Sequence, residues 1–373
     1  MKVVVSGVNL IEGGPLKVFK DVVGAFLSKN IDVICLVHKV SLFESMSHDK
    51  LILIEYPSIK SSWLKRILFE YYYCKKISSK LKPDIWLSMH DMTPSLLDVT
   101  NQFVYCHNPS PFYSATLKDY RFSLKFTLFT LLYKFLYMIN IKTNTGVIVQ
   151  QGWIGEFFKN KMKAKKILIA KPVEPLGEIE TVNFKCDGRL RLFYPALSRT
   201  FKNFELLLDS MSYLKINNVD AYEKIKLVLT IDDKIDAYSK FLVNKYSHLE
   251  NVDFLGMLSR EGVDDQYEKC DVVVFPSKLE TWGLPISEAK DHNKPIILVD
   301  LPYAYETLGN YSAACFVNPD DYIAFSKLLT SMLSNKNVFN YVSFQDSPDV
   351  CFSWDSLVDS IIINSDCSIK NLG

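Results

Sequence analysis

The sequence predicts an α/β protein built from two doubly wound parallel sheets that face a central cleft. Three observations predict it. Short apolar runs alternate with amphipathic stretches through residues 1–170, the pattern of a parallel sheet with helices on both faces. The same alternation restarts after residue 190. Between them lies Lys171-Pro-Val-Glu-Pro175, where two prolines in four residues favour an extended linker. With 373 residues, 48% hydrophobic and 23% charged, the chain can bury a large core, and global disorder is excluded.

In order along the chain, strands are expected at 2–6, 32–37, 51–55, 84–88, 102–106 and 146–150, with helices at 15–29 and 62–80. The second half repeats the order, not the sequence, with strands at 191–194, 226–230, 252–255, 271–275, 295–299 and 313–317, and a helical stretch at 203–213. The expected division is 1–170, 171–350 and a terminal helix in 351–373 that packs back on the first domain. Charge divides the same way. Residues 1–170 hold 23 Lys and Arg against 12 Asp and Glu, and residues 171–373 hold 20 against 30. A basic half suits a phosphorylated substrate or an anionic lipid surface. Two segments interleave basic and aromatic residues, 62–76 and 118–142. They read either as membrane-interface helices or as core helices of the first domain. No nucleic-acid module signature accompanies them, so no nucleic-acid partner is expected.

Eight cysteines without a C-x-x-C pair, and an N-terminus lacking signal-peptide features, lead to the expectation of a cytoplasmic protein with reduced thiols. Peripheral attachment to the inner face of the plasma membrane is the accompanying expectation if the basic segments meet lipid.

Ligands in doubly wound sheets sit beyond the carboxyl ends of the strands, so the loops after strands are the candidates. Gly13-Gly14, before Pro15, follows the first strand and allows close backbone approach. His107 stands in Tyr105-Cys-His-Asn-Pro-Ser-Pro, a loop stiffened by two prolines, and His90 follows the fourth strand. Arg199 and Lys202 precede a helical stretch, and such cations carry the charge of a departing diphosphate. Glu280 and Glu288 stand eight positions apart in Glu-Thr-Trp-Gly-Leu-Pro-Ile-Ser-Glu, after the apolar run 271–275. Here a strand, a loop turning at Gly283 and a helix follow one another. The helix N-terminus attracts anions, and carboxylates beside it accept hydroxyl hydrogen bonds. No D-x-D, H-E-x-x-H or spaced histidine cluster points to a metal.

These four motifs in this order resemble the retaining glycosyltransferases of family four, which have the GT-B fold, especially bacterial surface-polysaccharide enzymes. The resemblance covers nearly the whole chain. It implies that Glu288 binds the nucleotide ribose and that Glu280 sits at the donor sugar. It also implies that Arg199 and Lys202 hold the diphosphate, assisted by Gly13, Gly14, Trp282, Gly283 and Leu284. His107 corresponds to the donor-sugar histidine. One departure is the spacing: the family often separates the basic pair by four residues, and here only Thr200 and Phe201 lie between Arg199 and Lys202. The expected activity is metal-independent transfer, with retention, from a nucleoside-diphosphate sugar to a glycan acceptor, lipid-linked, in O-antigen or capsule synthesis. No cofactor beyond the nucleotide sugar is implied. A nucleotide-sugar epimerase and an inactive sugar-nucleotide-binding protein are the alternatives.

Overall fold

A computed structural model describes residues 1–171, 182, 184, 186–334, 338–347 and 350–370. The prolines expected to form the linker lie outside the described residues. Fifteen strands are present among them. In chain order these are β1 (Lys2–Ser6), β2 (Asp32–Val37), β3 (Leu51–Glu55), β4 (Ile85–Ser88), β5 (Asn101–Cys106), β6 (Gly146–Val149) and β7 (Ile167–Ala170). There follow β8 (Leu190–Tyr194), β9 (Ile225–Leu229), β10 (Val252–Phe254), β11 (Val272–Phe275), β12 (Ile296–Val299), β13 (Tyr311–Val317), β14 (Asn340–Val342) and β15 (Val350–Cys351). The strands form two sheets, ordered β15-β7-β6-β5-β4-β1-β2-β3 and β10-β9-β8-β11-β12-β13-β14. Every pairing is parallel except β13 with β14. The expected fold class is therefore present, two parallel-dominated α/β sheets with helices between their strands. Strands β7, β14 and β15 were not foreseen. The last two are three and two residues long, too short for an apolar run to mark them.

Each sheet has one point where the strand order reverses, between β1 and β4 in the first and between β8 and β11 in the second. There the loops leaving two adjacent strands diverge and open a crevice at their carboxyl ends. Burial explains why these strands are parallel. The central runs Val3-Val4-Val5 and Val272-Val273-Val274 are at most 1% exposed, as strands covered on both faces must be.

The chain forms two compact units, Met1–Pro111 with Leu132–Pro175 and Ser347–Gly373, and Phe112–Leu131 with Leu176–Asp346. This division departs from the sequence-based one at Phe112–Leu131, which groups with the second unit. Specific contacts are the reason. The Asp119 carboxylate accepts a hydrogen bond from Thr200 Oγ1, Lys118 pairs with Glu205 at 2.9 Å, and Phe122 stacks on Tyr238 and Phe241. The expected single helix over 118–142 is two helices, Leu117–Phe122 and Leu124–Met138, broken at Ser123. In the first unit the terminal helix Trp354–Lys370 packs on the helix Gly13–Ser28. Leu357, Val358 and Ile361 complete the core that Val3, Val5 and Phe19 begin.

Candidate functional site

In the second unit the reversal point lies between β8 and β11, and the loops leaving these strands carry Lys202 and Glu280. The Lys202 ammonium donates to Glu280 Oε1. Both side chains are only about one-seventh exposed, 15% and 14%, so the pair is sheltered yet reachable from solvent. The loops are tied by their backbones as well, through Lys278 N–H to Phe201 O at 2.8 Å. Tyr194, the last residue of β8, donates its hydroxyl to Lys202 O at 2.9 Å. The ammonium also lies 5.4 Å from the centre of the Phe275 ring, the last residue of β11, a cation–π distance.

Glycine is required at the turn into the next helix. Gly283 has φ 82° and caps the helix Leu284–Asp291 without a side-chain hydrogen bond. A Cβ there would also crowd Phe275 and Ile286 at 3.2–3.3 Å. At the helix start, with half-exposed Leu284, Pro285 has no N–H and the Ile286 N–H donates to Gly283 O at 2.9 Å, so the N–H groups left for an anion are those of Gly283 and Leu284. Trp282 is 7% exposed and its indole N–H donates to Ser287 Oγ at 3.3 Å. Its carbonyl accepts from Thr307 Oγ1. Trp282 therefore braces the turn.

Glu288 faces a different group. Arg260 Nη1 lies 2.5 Å from its Oε1, and Tyr267 donates its hydroxyl to Oε2 at 2.9 Å. The bond to Glu288 leads the causes that raise the Arg260 pKa. Glu288 and Arg260 line a cavity of about 220 Å³ with Ala196, Thr230, Met257 and Pro285. Arg199 separates from Lys202. Its guanidinium donates to Ser198 O at 2.7 Å and lies 4.0 Å from Asp236, beside a second cavity of about 460 Å³. The two cations expected to act together point to different places, because the turn Thr200–Lys202 lies between them.

In the first unit Gly13 has φ 66° and opens the helix Gly13–Ser28, whose start has no side-chain cap. Gly14 has open space where a Cβ would stand. His90 is fully buried. Its Nδ1 accepts from Arg66 Nη2 at 3.1 Å and lies 3.2 Å from Glu70 Oε1, and its Nε2 reaches Ser6 Oγ at 3.2 Å. Burial, with Arg66 and His107 nearby, holds His90 neutral, well below the usual imidazole range. Burial pushes the Glu70 carboxyl up to about 8, against the opposing pull of Arg66 and Cys74. His90 therefore ties β1 to β4 and touches no open space. His107 is 19% exposed. Its loop is held by Asp91, a residue with φ 70° whose Oδ1 accepts N–H bonds from His107 and Asn108 at 2.8 and 3.1 Å.

Sequence reasoning missed Asp91, Arg260 and Asp119. Asp91 had a legible signal, since it directly follows His90 after β4. Arg260 and Asp119 show only local signals, the Arg260–Asp264 spacing and the Thr116–Asp119 capping box, while the partners Glu288 and Thr200 lie 28 and 81 residues away.

Comparison with known proteins bears on the family and the fold. Residues 178–343 match the family described as Glycosyl transferases group 1. A 72-residue stretch is 39% identical to the O-antigen chain mannosyltransferase RfbU of Salmonella typhimurium, spanning 19% of this chain and 20% of that protein. Among solved structures, the lipopolysaccharide outer core galactosyltransferase WaaB is similar over 100% of both chains, with TM-score 0.59 and 13% identity. The sucrose-phosphate synthase of Thermosynechococcus elongatus is similar over 98% of this chain and 94% of its own, with TM-score 0.58 and 14% identity. Anabaena HepE in complex with UDP-glucose is similar over 100% of this chain and 99% of its own, with TM-score 0.54 and 11% identity. At these identities the structural likenesses establish the fold.

Proposed function

This chain carries a Glycosyl transferases group 1 domain over residues 178–343, and we propose that it transfers a sugar from a nucleoside-diphosphate sugar to a lipid-linked glycan in surface-polysaccharide synthesis. The observation that carries this reading is the Lys202–Glu280 pair at the reversal point of the second sheet. One ammonium and one carboxylate, held next to each other, suit a donor that is anionic at one end and rich in hydroxyls at the other.

In this reading Lys202 and the N–H groups at Gly283 and Leu284 receive the diphosphate and stabilise it as it leaves. Glu280, released from Lys202 when the donor binds, accepts hydroxyl hydrogen bonds from the sugar. Glu288 and Arg260 form the wall against which the nucleoside rests, with Glu288 on the ribose. The resemblance supports retention. The diphosphate itself takes the acceptor proton on the same face, the C–O bond to the diphosphate breaks as the bond to the acceptor oxygen forms, and Glu280 orients without attacking. Positive charge from Lys202 serves where other transferases use a divalent ion, so turnover persists in EDTA. By the resemblance, His107 is the residue assigned to the donor sugar. Similarity to the O-antigen chain mannosyltransferase RfbU and to HepE, which was solved with UDP-glucose, supports the substrate class.

The test is a thermal-shift screen of UDP, GDP, dTDP and CMP sugars, followed by product analysis with and without a glycan lipid. A donor that stabilises the protein and is consumed only with acceptor supports transfer. Consumption of donor alone, giving an isomeric nucleotide sugar, would favour an epimerase.

A further inference from the structure

The helix Leu124–Met138 is turned the opposite way from a water-facing helix. Its buried side carries Thr127, Thr130, Tyr133 and Tyr137, none more than 5% exposed. Its outer side carries Leu124, Leu128, Leu131, Leu132, Phe135 and Met138, all 48–64% exposed. Spacings of four, three, one, three and three residues put these six on one stripe. Contiguous large apolar side chains on a surface mark a contact with something apolar. The 20-residue segment Leu124–Thr143 contains an 18-residue window of mean hydropathy 1.3, enough in length and composition to cross a membrane, with 28% of that window buried in the protein.

The first turns of the same helix wall the larger cavity. Phe126 and Phe129 line it with Phe122, facing Phe201 and Tyr238. These rings are fixed by one another, Phe126 on Phe201 at 5.4 Å and Phe122 on Tyr238 at 5.4 Å. Lys125 and Arg199 border the cavity. Lys125 has no ion-pair or hydrogen-bond partner among the described residues. The one acid lining it, Asp236, has its Oδ2 4.0 Å from Arg199 and its other oxygen engaged elsewhere. Its Oδ1 caps the helix Ala237–Lys245 and accepts from Ser198 Oγ at 2.9 Å. The cavity thus has aromatic walls, a surplus of positive charge and a volume of about 460 Å³, within the range of small-ligand sites.

We propose that this cavity binds the phosphate-bearing head of a single-chain lipid acceptor, whose hydrocarbon lies along the leucine stripe. Lys125 and Arg199 meet the phosphate, the rings pack on the first carbons and sugar faces beyond it, and the exposed leucines receive the tail. Positive charge at one end of an apolar stripe is the complement of an anionic amphiphile. This inference rests on the transferase reading and adds to it where the acceptor is held.

The test uses the full chain and geranylgeranyl monophosphate below its micelle concentration, with inorganic phosphate and geranylgeraniol as controls. Binding is followed by tryptophan fluorescence and calorimetry for the wild type, Lys125→Glu, Phe126→Ala and the conservative Phe129→Leu. The lipid phosphate should bind, both controls should bind at least about tenfold more weakly, and Lys125→Glu and Phe126→Ala should each weaken it about tenfold. Phe129→Leu should weaken it less. Nucleoside-diphosphate affinity should stay within about twofold in all three variants, which also shows that they fold. Equal binding of inorganic phosphate, or lipid phosphate affinity unmoved by Lys125→Glu and Phe126→Ala, overturns the proposal. A wild type that binds nucleotide but not lipid phosphate overturns it while leaving the transferase reading intact. If no nucleotide binds but lipid phosphate binds through Lys125, the transferase reading fails and the cavity assignment survives.

Discussion

The Asp91 carboxylate holds the backbone N–H of His107 at 2.8 Å across sixteen residues of chain. The same carboxylate receives the hydroxyls of Tyr133 and Tyr137, each at 3.1 Å. One buried acid therefore fixes the His107 loop and the inner face of the long apolar helix. Asp91→Ala should leave the His107 and Asn108 amides short of this acceptor and remove one acceptor from Tyr133 and from Tyr137, the latter keeping Asn108 O at 2.9 Å. We expect a loss of roughly 2–4 kcal/mol in stability and a fall in turnover, checked by denaturant titration and by kcat. Asp91→Asn, which keeps one acceptor oxygen, should lose less stability.

Lys202→Ala should weaken nucleoside-diphosphate binding, since it removes the cation and leaves Glu280 unpaired in a sheltered place. Truncating one partner of such a pair costs about 2–5 kcal/mol. A double-mutant cycle with Glu280→Gln, read by calorimetry, should show clear coupling. Additive effects would mean that the two do not act on one ligand.

Glu288→Ala should impair donor binding with little change in kcat, because the proposed reading puts it on the nucleoside and not at the reacting carbon. It also leaves Arg260 with Asp264, at 3.0 Å, as its remaining ion-pair partner. Arg260→Ala should raise the donor Kd in the same direction. An unaltered donor Kd in both variants would remove this cavity from the donor site.

Stability should depend on pH through Glu70. Burial raises its folded pKa from 4.5 to about 8, so its carboxyl is neutral in the native protein. Its contribution is complete below about pH 4.5 and is lost as pH rises through about 8. Glu70→Gln, which cannot ionise, should flatten the fall in Tm between these limits. His90 acts in the opposite sense, since its lowered pKa withdraws stability as pH falls below the usual imidazole value of 6.5. Scanning calorimetry of both proteins from pH 5 to 8.5 separates the two.

Attachment to vesicles containing anionic lipid should weaken in high salt, because charges near a surface are screened. Replacing Leu128 and Leu132 by glutamate should abolish the attachment at low salt, measured by co-sedimentation. A wild type that stays in the supernatant beside such vesicles would count against a lipid-facing role for the stripe.

Much of this molecule was legible in the amino-acid order, and the reason is locality. Runs such as 271–275 are apolar because a parallel strand is covered on both faces, and Gly283 is glycine because the turn needs positive φ, so neither requires knowledge of a distant residue. The ends of β8 and β11 likewise place Lys202 and Glu280 after strands, where ligands bind. Other features depended on contacts between remote parts of the chain. Asp119 draws the segment Phe112–Leu131 to the second unit through Thr200, 81 positions away. Arg199 and Lys202 diverge although they are three apart, because each finds a different partner in space. The sequence shows that 118–142 is apolar and basic, but only packing of Tyr133 and Tyr137 against Asp91 determines that its leucines face outward. Local sterics and hydropathy are written residue by residue. The pairing of a polar group is a matter of which distant donor or acceptor folding brings within 3 Å or so.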